Sequence, residues 1–336
     1  GFVALMSECR ARGGRLAAIE LTSEALARGF AQSWPCRVGV FTNLTHDHLD
    51  AHGSAEHYLA SKAQLFVTLA AGDTAVLNAC DPASDLLREV LDPAVRILSY
   101  GVPSRGVFSS FAPADLRATR VDVDWSGTTV TCVDRAGAEQ RSIKIRAIGE
   151  VYAENALAAV LGATAAGVPL DDAIDAVAAS PAPPGRFEVI AEEPRLVVDY
   201  AHSPDALERT VAVARRLAPE RLVVVFGAGG RRDPTKRAAM GRAARAADHV
   251  VITSDNPRDE DPRAIADAVA SGLVGHRSVA IELDRAAAIT RAVQGAGPRD
   301  VVLVTGKGHE AEQHLGAVVR PFSDAAVLRA ALGARR

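Results

Sequence analysis

The densest run of chemically capable side chains is Phe41-Thr42-Asn43-Leu44-Thr45-His46-Asp47-His48-Leu49-Asp50-Ala51-His52-Gly53. Three histidines and two aspartates fall within seven residues. Such a set suits a divalent cation. Its spacing fits no zinc motif such as HExxH, and oxygen-rich surroundings favour Mg2+. A solvated polar loop is the alternative. The apolar run Val38–Phe41 just before it reads as a short buried strand, so the cluster belongs at a strand's carboxyl end, where α/β proteins form ligand sites. Ser54–Leu69 after it reads as a helix with Ser54 as N-cap, which puts Tyr58 and Lys62 on one face at i, i+4 spacing. A second loop, Phe226-Gly227-Ala228-Gly229-Gly230-Arg231-Arg232, has the strand–glycine–helix look of a dinucleotide turn. It lacks the third glycine of GxGxxG, since Arg232 stands there, and is weak evidence on its own.

The elements that must position these loops alternate between apolar strand-like runs and Ala-rich helical stretches, which argues for α/β layering. Gly1–Arg15 reads as a helix already under way, with Phe2, Leu5, Met6 and Cys9 on one face, as in a fragment of a longer chain. Leu16–Ile19 reads as a short buried strand and Ala75–Asn78 as another. Val121–Trp125 and Thr128–Val133 alternate with period two around Ser126-Gly127, the pattern of an antiparallel hairpin. Asn155–Ala166 and Leu170–Ala179 are helical. Ser180-Pro181-Ala182-Pro183-Pro184-Gly185 then forms a stiff connector, which places a domain boundary between residues 1–180 and 181–336. Beyond it, strand runs (Leu196–Asp199, Leu222–Phe226, His249–Thr253, Ser278–Leu283, Val301–Thr305) alternate with helical ones (Ala206–Leu217, Lys236–Ala246, Pro262–Leu273, Arg285–Gln294), as in a parallel doubly wound sheet.

Composition bounds the partners. The 336 residues suffice for two domains, and a net charge of −3 argues against nucleic acid. Cys9, Cys36, Cys80 and Cys132 form no CxxC pair and read as reduced thiols of a cytoplasmic protein. No apolar run reaches the roughly 18 residues of a membrane span.

The motifs together resemble the Mur ligase family, MurE type. FTNLTHDHLDAHG with the following helix is similar to the family's central-domain signature, and Ala18–Leu26 resembles its EVSSHAL segment. The resemblance implies that Glu20, His48 and a carbamylated Lys62 hold Mg2+ and serve catalysis, and that Thr22 and Ser23 face the UDP-MurNAc-peptide. Glu24 replaces the family's histidine. Gly149–Ala159 is similar to GxFNVYNxLAA: Asn155 keeps the second asparagine, whereas Tyr152 replaces the first, which contacts adenine in the family. Pro184-Gly185-Arg186-Phe187-Glu188 and Val198–Leu207 resemble PGRxE and VDYAHTPDAL. They imply that Arg186 reaches ATP phosphates, Asp199 the ribose, and His202 the nucleotide. Arg232 lies in a match to FGCGGDRDxxKR. Asp255-Asn256-Pro257-Arg258 matches the DNPR associated with meso-diaminopimelate, whose distal carboxylate Arg258 would grip, and Gly306 and Glu310 of Gly306–Glu310 match the GKGHE that holds the amino-acid end. Phe322-Ser323-Asp324 matches a closing FSD.

The resemblance covers Ala17 to Leu332 and implies a truncated central domain plus a Rossmann-like C-terminal domain. It also implies ATP and Mg2+ as cofactors and a cytoplasmic, monomeric amide ligase. That ligase joins meso-diaminopimelate to UDP-MurNAc-L-Ala-D-Glu through an acyl phosphate. No GxxxxGK[ST] loop occurs, so this chain by itself is expected to be inactive or nearly so. Two other readings stand beside it: a non-catalytic paralogue that binds nucleotide or precursor, and another Mur or folylpolyglutamate-type ligase.

Overall fold

The computed structural model describes residues 2–44, 54–103, 113–217 and 220–335. Two six-stranded sheets organise them. In the first, β1 (Val38–Val40), β2 (Thr74–Asn78), β3 (Arg96–Gly101), β4 (Leu116–Asp124), β5 (Gly127–Asp134) and β6 (Gln140–Ile145) lie side by side in chain order. Pairing is parallel from β1 to β4 and antiparallel from β4 to β6. All five residues of β2 are buried because helices cover both faces. Ala75 and Leu77 face a core shared with Phe66 of α4 (Ala55–Val67) and Leu87 of α5 (Ala83–Val90). Val76 faces the other way, toward α6 (Val151–Ala165) and α7 (Leu170–Ala179). Helix α6 buries seven of its residues, Leu157 and Val160 completely. Each such aliphatic side chain stabilises the layer by roughly 1.5–3 kcal/mol.

The second sheet has the order β11-β10-β9-β12-β8-β7. Its members are β7 (Glu188–Glu192), β8 (Arg195–Asp199), β9 (Leu222–Phe226), β10 (His249–Ile252), β11 (Val279–Ile281) and β12 (Val301–Thr305). It is parallel except for β7, which runs antiparallel to β8 at the edge. One face packs on α8 (Pro204–Leu217), α9 (Lys236–Ala243) and α10 (Pro262–Ala270); the other packs on α11 (Arg285–Gln294) and α12 (Asp324–Gly333). A hairpin, β13 (Glu312–Leu315) with β14 (Val318–Pro321), closes the carboxyl end of the sheet near Arg258.

The β4–β5 hairpin reaches the second sheet's core. Trp125, at its tip, donates to the Leu217 carbonyl (3.1 Å), and its ring packs near Phe187 and under the Arg195 guanidinium. Glu150 and Arg216 add an ion pair at 2.6 Å. Among the described residues no helix is long and apolar enough to cross a membrane.

Three expectations need correction. Leu16–Ile19 is not a buried strand: it has no regular structure, and Leu16 and Ile19 are exposed. An apolar run becomes a strand only if a neighbour completes its ladder, and β1 pairs only with β2 among the described residues. The first helix, α1, is shorter than expected (Phe2–Ala11) and buries no residue; Phe2 only packs edge-on against Phe30 and Trp34. Asn155 does not start its helix. Helix α6 begins at Val151, so Asn155 lies in its second turn, too deep for an N-terminal capping role.

Candidate functional site

Residue groups from both lobes gather at the carboxyl ends of the two sheets. In the first lobe, Ser54 caps α4 by accepting from the His57 N–H, and this fixes the helix that carries Lys62. One turn before Lys62, the ring of buried Tyr58 lies 5.2 Å from its Nζ. Burial lowers the Lys62 pKa, and nearby Glu20 partly opposes the shift. Glu20 and Lys62 are therefore within electrostatic reach of each other although 41 residues lie between them in the chain.

 The Thr22 hydroxyl accepts from the Ala25 N–H (3.2 Å) and caps the short helix α2 (Ser23–Ala27), while Ser23 is buried and Glu24 is exposed. The loop with His48 lies outside the described residues, so that candidate metal ligand has no placement here. Up to Leu44 its approach is fixed: Tyr100 Oη donates to the Phe41 carbonyl, Asn78 Nδ2 to that of Thr42, and the Leu44 N–H to Asp81 Oδ2. Among the described residues no group of three or more His, Cys, Asp or Glu converges as a metal-holding set.

A second group lies where the connector enters the second lobe. Asp199 ends β8 and is buried. Its Oδ2 accepts from the Phe187 N–H (2.7 Å), and its Oδ1 accepts from the Ala201 N–H (2.8 Å) and the Thr210 hydroxyl (3.2 Å). Burial raises its pKa, and these hydrogen bonds and the Arg186 charge only partly offset that. Asp199 thus shapes the loops on both sides of it, whatever else it binds. The Arg186 guanidinium stacks 4.1 Å from the Tyr200 ring centroid, and His202 and His309 pack against the same ring. His202 Nδ1 is 2.9 Å from the Tyr200 carbonyl. Tyr152 of the first lobe joins this group: burial raises the pKa of its phenol, Asp199 adds to the rise and Arg186 opposes it. Asn155 is exposed one turn further along α6 at i+3, on the side of Tyr152.

The third group is built by two strand ends. After β10 come Asp255, Asn256 and Arg258; after β12 come Gly306, Lys307 and Glu310. Lys307 is fully buried and donates to Asn256 Oδ1 (3.0 Å) and Glu310 Oε2 (2.8 Å), with Asp255 Oδ1 3.6 Å away. Asn256 is oriented by the His314 N–H, which donates to its Oδ1, so its Nδ2 donates to Glu310 Oε2 (3.2 Å). Gly306 has φ +111°, and a Cβ there would come within 2.8 Å of Asp255 Oδ2, so only glycine fits beside the carboxylate. Burial raises the Asp255 pKa against the pull of Arg285 and Lys307. For Glu310 the balance reverses: burial raises its pKa, but the hydrogen bond and charge of Lys307 outweigh this and hold it below the usual range. Arg258, itself at φ +55°, donates to the Gly230 carbonyl (2.6 Å). Arg232 is exposed and flanks Gly229 together with Arg258. Arg258 and Glu310 therefore converge on one patch around Asn256. The second and third groups also touch, because Gly185 packs directly against Gly308 and His309, and Glu310, Arg232 and Asp255 all lie within electrostatic reach of Tyr200.

Two α/β lobes thus bring residues to one region, with Tyr152 of the first in electrostatic contact with Asp199 and Arg186 of the second. Residues 1–163 match the Mur ligase middle domain, and residues 185–308 match the Mur ligase glutamate ligase domain. The chain belongs to the Mur ligase family. Within it, the chain is 39% identical over 330 residues to the UDP-N-acetylmuramoyl-L-alanyl-D-glutamate--2,6-diaminopimelate ligase of Thermosynechococcus vestitus, covering 96% of this chain. It is 40% identical over 338 residues to the ligase of the same name from Streptomyces coelicolor, covering 98% of this chain. It spans 64% and 65% of the lengths of these two relatives. A solved structure of a ligase of that name aligns with TM-score 0.63 at 34% identity, over 97% of this chain and 66% of that one.

Sequence reasoning gave no role to several residues that the structure puts at the centre. Lys307 stood inside the GKGHE match, Tyr200 inside the VDYAH match, and Asp324 inside FSD, none with a role of its own. Their motif positions were the available signal. Gln313, which donates to the Asp255 carbonyl (2.8 Å), and Arg285 carried no sequence signal at all.

Proposed function

We propose that this chain carries the amine-binding and nucleotide-contacting surfaces of an ATP-dependent amide ligase that adds meso-diaminopimelate to UDP-MurNAc-L-Ala-D-Glu. The division falls at the Pro-rich connector, with residues 1–180 as the central domain and 181–336 as the C-terminal domain. The observation that carries the reading is the single socket formed by Asp255, Asn256, Arg258, Lys307 and Glu310 beside the Arg186–Tyr200–His202 group. Its two ends differ in charge. Glu310 and Asp255 suit an ammonium, and Arg258 with Arg232 suits a carboxylate. A zwitterionic amino acid with a second carboxylate fits such a socket, and lysine lacks the group the arginines would grip.

In the proposed reaction a carboxylate oxygen of the dipeptide attacks the γ-phosphorus of ATP and releases ADP. The free amine of meso-diaminopimelate then attacks the acyl phosphate carbonyl; the C–N bond forms, phosphate leaves and the amine loses a proton. Arg186 and His202 would hold the nucleotide, with Asp199 and Asn155 beside the ribose and base. Thr22 and Ser23 would face the UDP-MurNAc-peptide, and Gly306 leaves room beside Asp255 for the amino-acid end. An unmodified Lys62 ammonium would repel Mg2+, so the metal set requires the lysine to be converted to a carbamate by CO2, with loss of a proton. The lowered Lys62 pKa raises the fraction of neutral amine that this addition needs. Glu20, His48 and that carbamate would then hold the ion, which supplies charge neutralisation to the phosphates. ATP and the UDP-linked precursor place the reaction in the cytoplasm.

The test is formation of UDP-MurNAc-tripeptide, followed by mass, with meso-diaminopimelate and L-lysine offered in parallel. The chain is compared alone and joined to an amino-terminal region bearing a GTNGKT-type loop. The joined protein is expected to incorporate meso-diaminopimelate in preference to lysine. Incorporation of neither, or equal use of both, overturns the reading.

A further inference from the structure

Two charges that the proposed chemistry does not use are fully buried at the starts of two helices. Arg285 is the first residue of α11 and Asp324 the first of α12. Arg285 Nε and Nη2 donate to the two Asp324 carboxylate oxygens, each at 2.7 Å. The same guanidinium also donates from Nη2 to the Thr305 carbonyl (2.9 Å) and from Nη1 to the Ser254 carbonyl (3.4 Å). Thr305 is the last residue of β12, and Ser254 lies just beyond β10. The next residues after these two carbonyls are Gly306 and Asp255. One planar group therefore bolts together the two strand ends from which both halves of the amine socket spring. Gln313 adds a clamp from the hairpin side, donating to the Asp255 carbonyl, while Arg320 holds its Oε1.

We propose that the Arg285–Asp324 pair is a positioning device that sets the register of Asp255–Arg258 against Gly306–Glu310, and so determines how tightly the socket holds the amino-acid substrate. The inference rests on the function proposed above. Neither residue touches the substrate; both act through the two backbone segments. A guanidinium is required because one ammonium cannot hold both carboxylate oxygens and reach two carbonyls on separate strands. The nucleotide-contacting group is built on β8 and the connector, and receives no hydrogen bond from this pair among the described residues.

The experiment uses the full chain and the variants Arg285→Lys and Asp324→Asn, the second as the milder change should the first not fold. Calorimetric titration measures affinity for meso-diaminopimelate and, separately, for ADP. Hydrogen exchange of the amides of Asp255, Asn256 and Arg258 and of residues 306–310 is followed in the absence of ligand. The expected result is a loss on the order of tenfold for meso-diaminopimelate, the worth of one charge-assisted hydrogen bond, with ADP affinity unchanged. Both amide segments should lose protection together while those at 199–201 keep theirs. Parallel weakening of both ligands overturns the inference in favour of a general structural role. Unchanged affinity and unchanged exchange overturn it outright. If the parent chain binds no meso-diaminopimelate, the functional reading fails, and the exchange pattern alone decides whether the pair positions the two segments.

Discussion

Replacing Lys307 by methionine probes the socket at its most constrained atom. Nζ is fully buried and faces three acceptors: Asn256 Oδ1 at 3.0 Å, Glu310 Oε2 at 2.8 Å and Asp255 Oδ1 at 3.6 Å. An ammonium has three donors, so its capacity is matched. Methionine keeps much of the volume and removes the charge, leaving buried Asp255 to rely on Arg285. Breaking one side of a buried ion pair costs about 3–5 kcal/mol. In a folding unit of this size each kcal/mol moves Tm by roughly 2–4 °C, so the melting point should fall by roughly 6–20 °C near neutral pH. The pH dependence has a definite sign. Glu310 has a depressed pKa, so its contribution to stability is present above the ordinary glutamate value of about 4.3 and is lost as pH falls through the lower folded value. Lys307 is part of what depresses it, so the gap between parent and variant should be widest at neutral pH and narrow in acid. Thermal unfolding followed by circular dichroism at about pH 7 and about pH 2.5 measures both. A difference below about 1 kcal/mol at neutral pH, or one that stays constant into acid, refutes the argument.

Other changes test other parts. Glu20→Gln removes the charge that opposes the depression of Lys62, so the Lys62 pKa should fall further; an unchanged or higher value on NMR titration of labelled lysine would show that Glu20 does not act on Lys62 in this way. Trp125→Ala deletes the hydrogen bond to Leu217 and the stack under Arg195, and should cost about 2 kcal/mol and speed proteolysis of the connector at 181–184; an unchanged melting point and cleavage rate would mean that the hairpin does not brace the second lobe. Supplying a GTNGKT-type loop should raise ADP release well above that of the chain alone, and comparable rates would contradict the electrostatic role given to that loop.

Most of the second sheet was legible because its strands are buried on both faces. Leu222–Phe226 and Val301–Thr305 are continuous apolar runs with helices between them, and their bounds match the expectation. The same logic misread Leu16–Ile19, since hydrophobicity does not say whether a pairing partner exists. The β13–β14 hairpin escaped notice because Glu312-Gln313-His314 shows no apolar alternation; its order comes from contacts to Asp255, Asn256 and Arg258. In the site, Asp255, Arg258 and Glu310 could be named from motif likeness, and the structure brings them together. Arg285 could not, because a charged residue in the first turn of a helix normally faces water. Its burial follows from tertiary partners, Asp324 and two carbonyls, that local sequence does not reveal.

The most direct measurement is a calorimetric comparison of meso-diaminopimelate and L-lysine on this chain, repeated with Arg258→Lys. The charge-assisted contacts of one carboxylate, worth about 1.5–3 kcal/mol, should make the first ligand bind roughly 10–150-fold more tightly, and the variant should erase most of that preference. Equal affinities in the parent chain, or a preference that survives loss of the Arg258 guanidinium, would contradict the assignment of this socket.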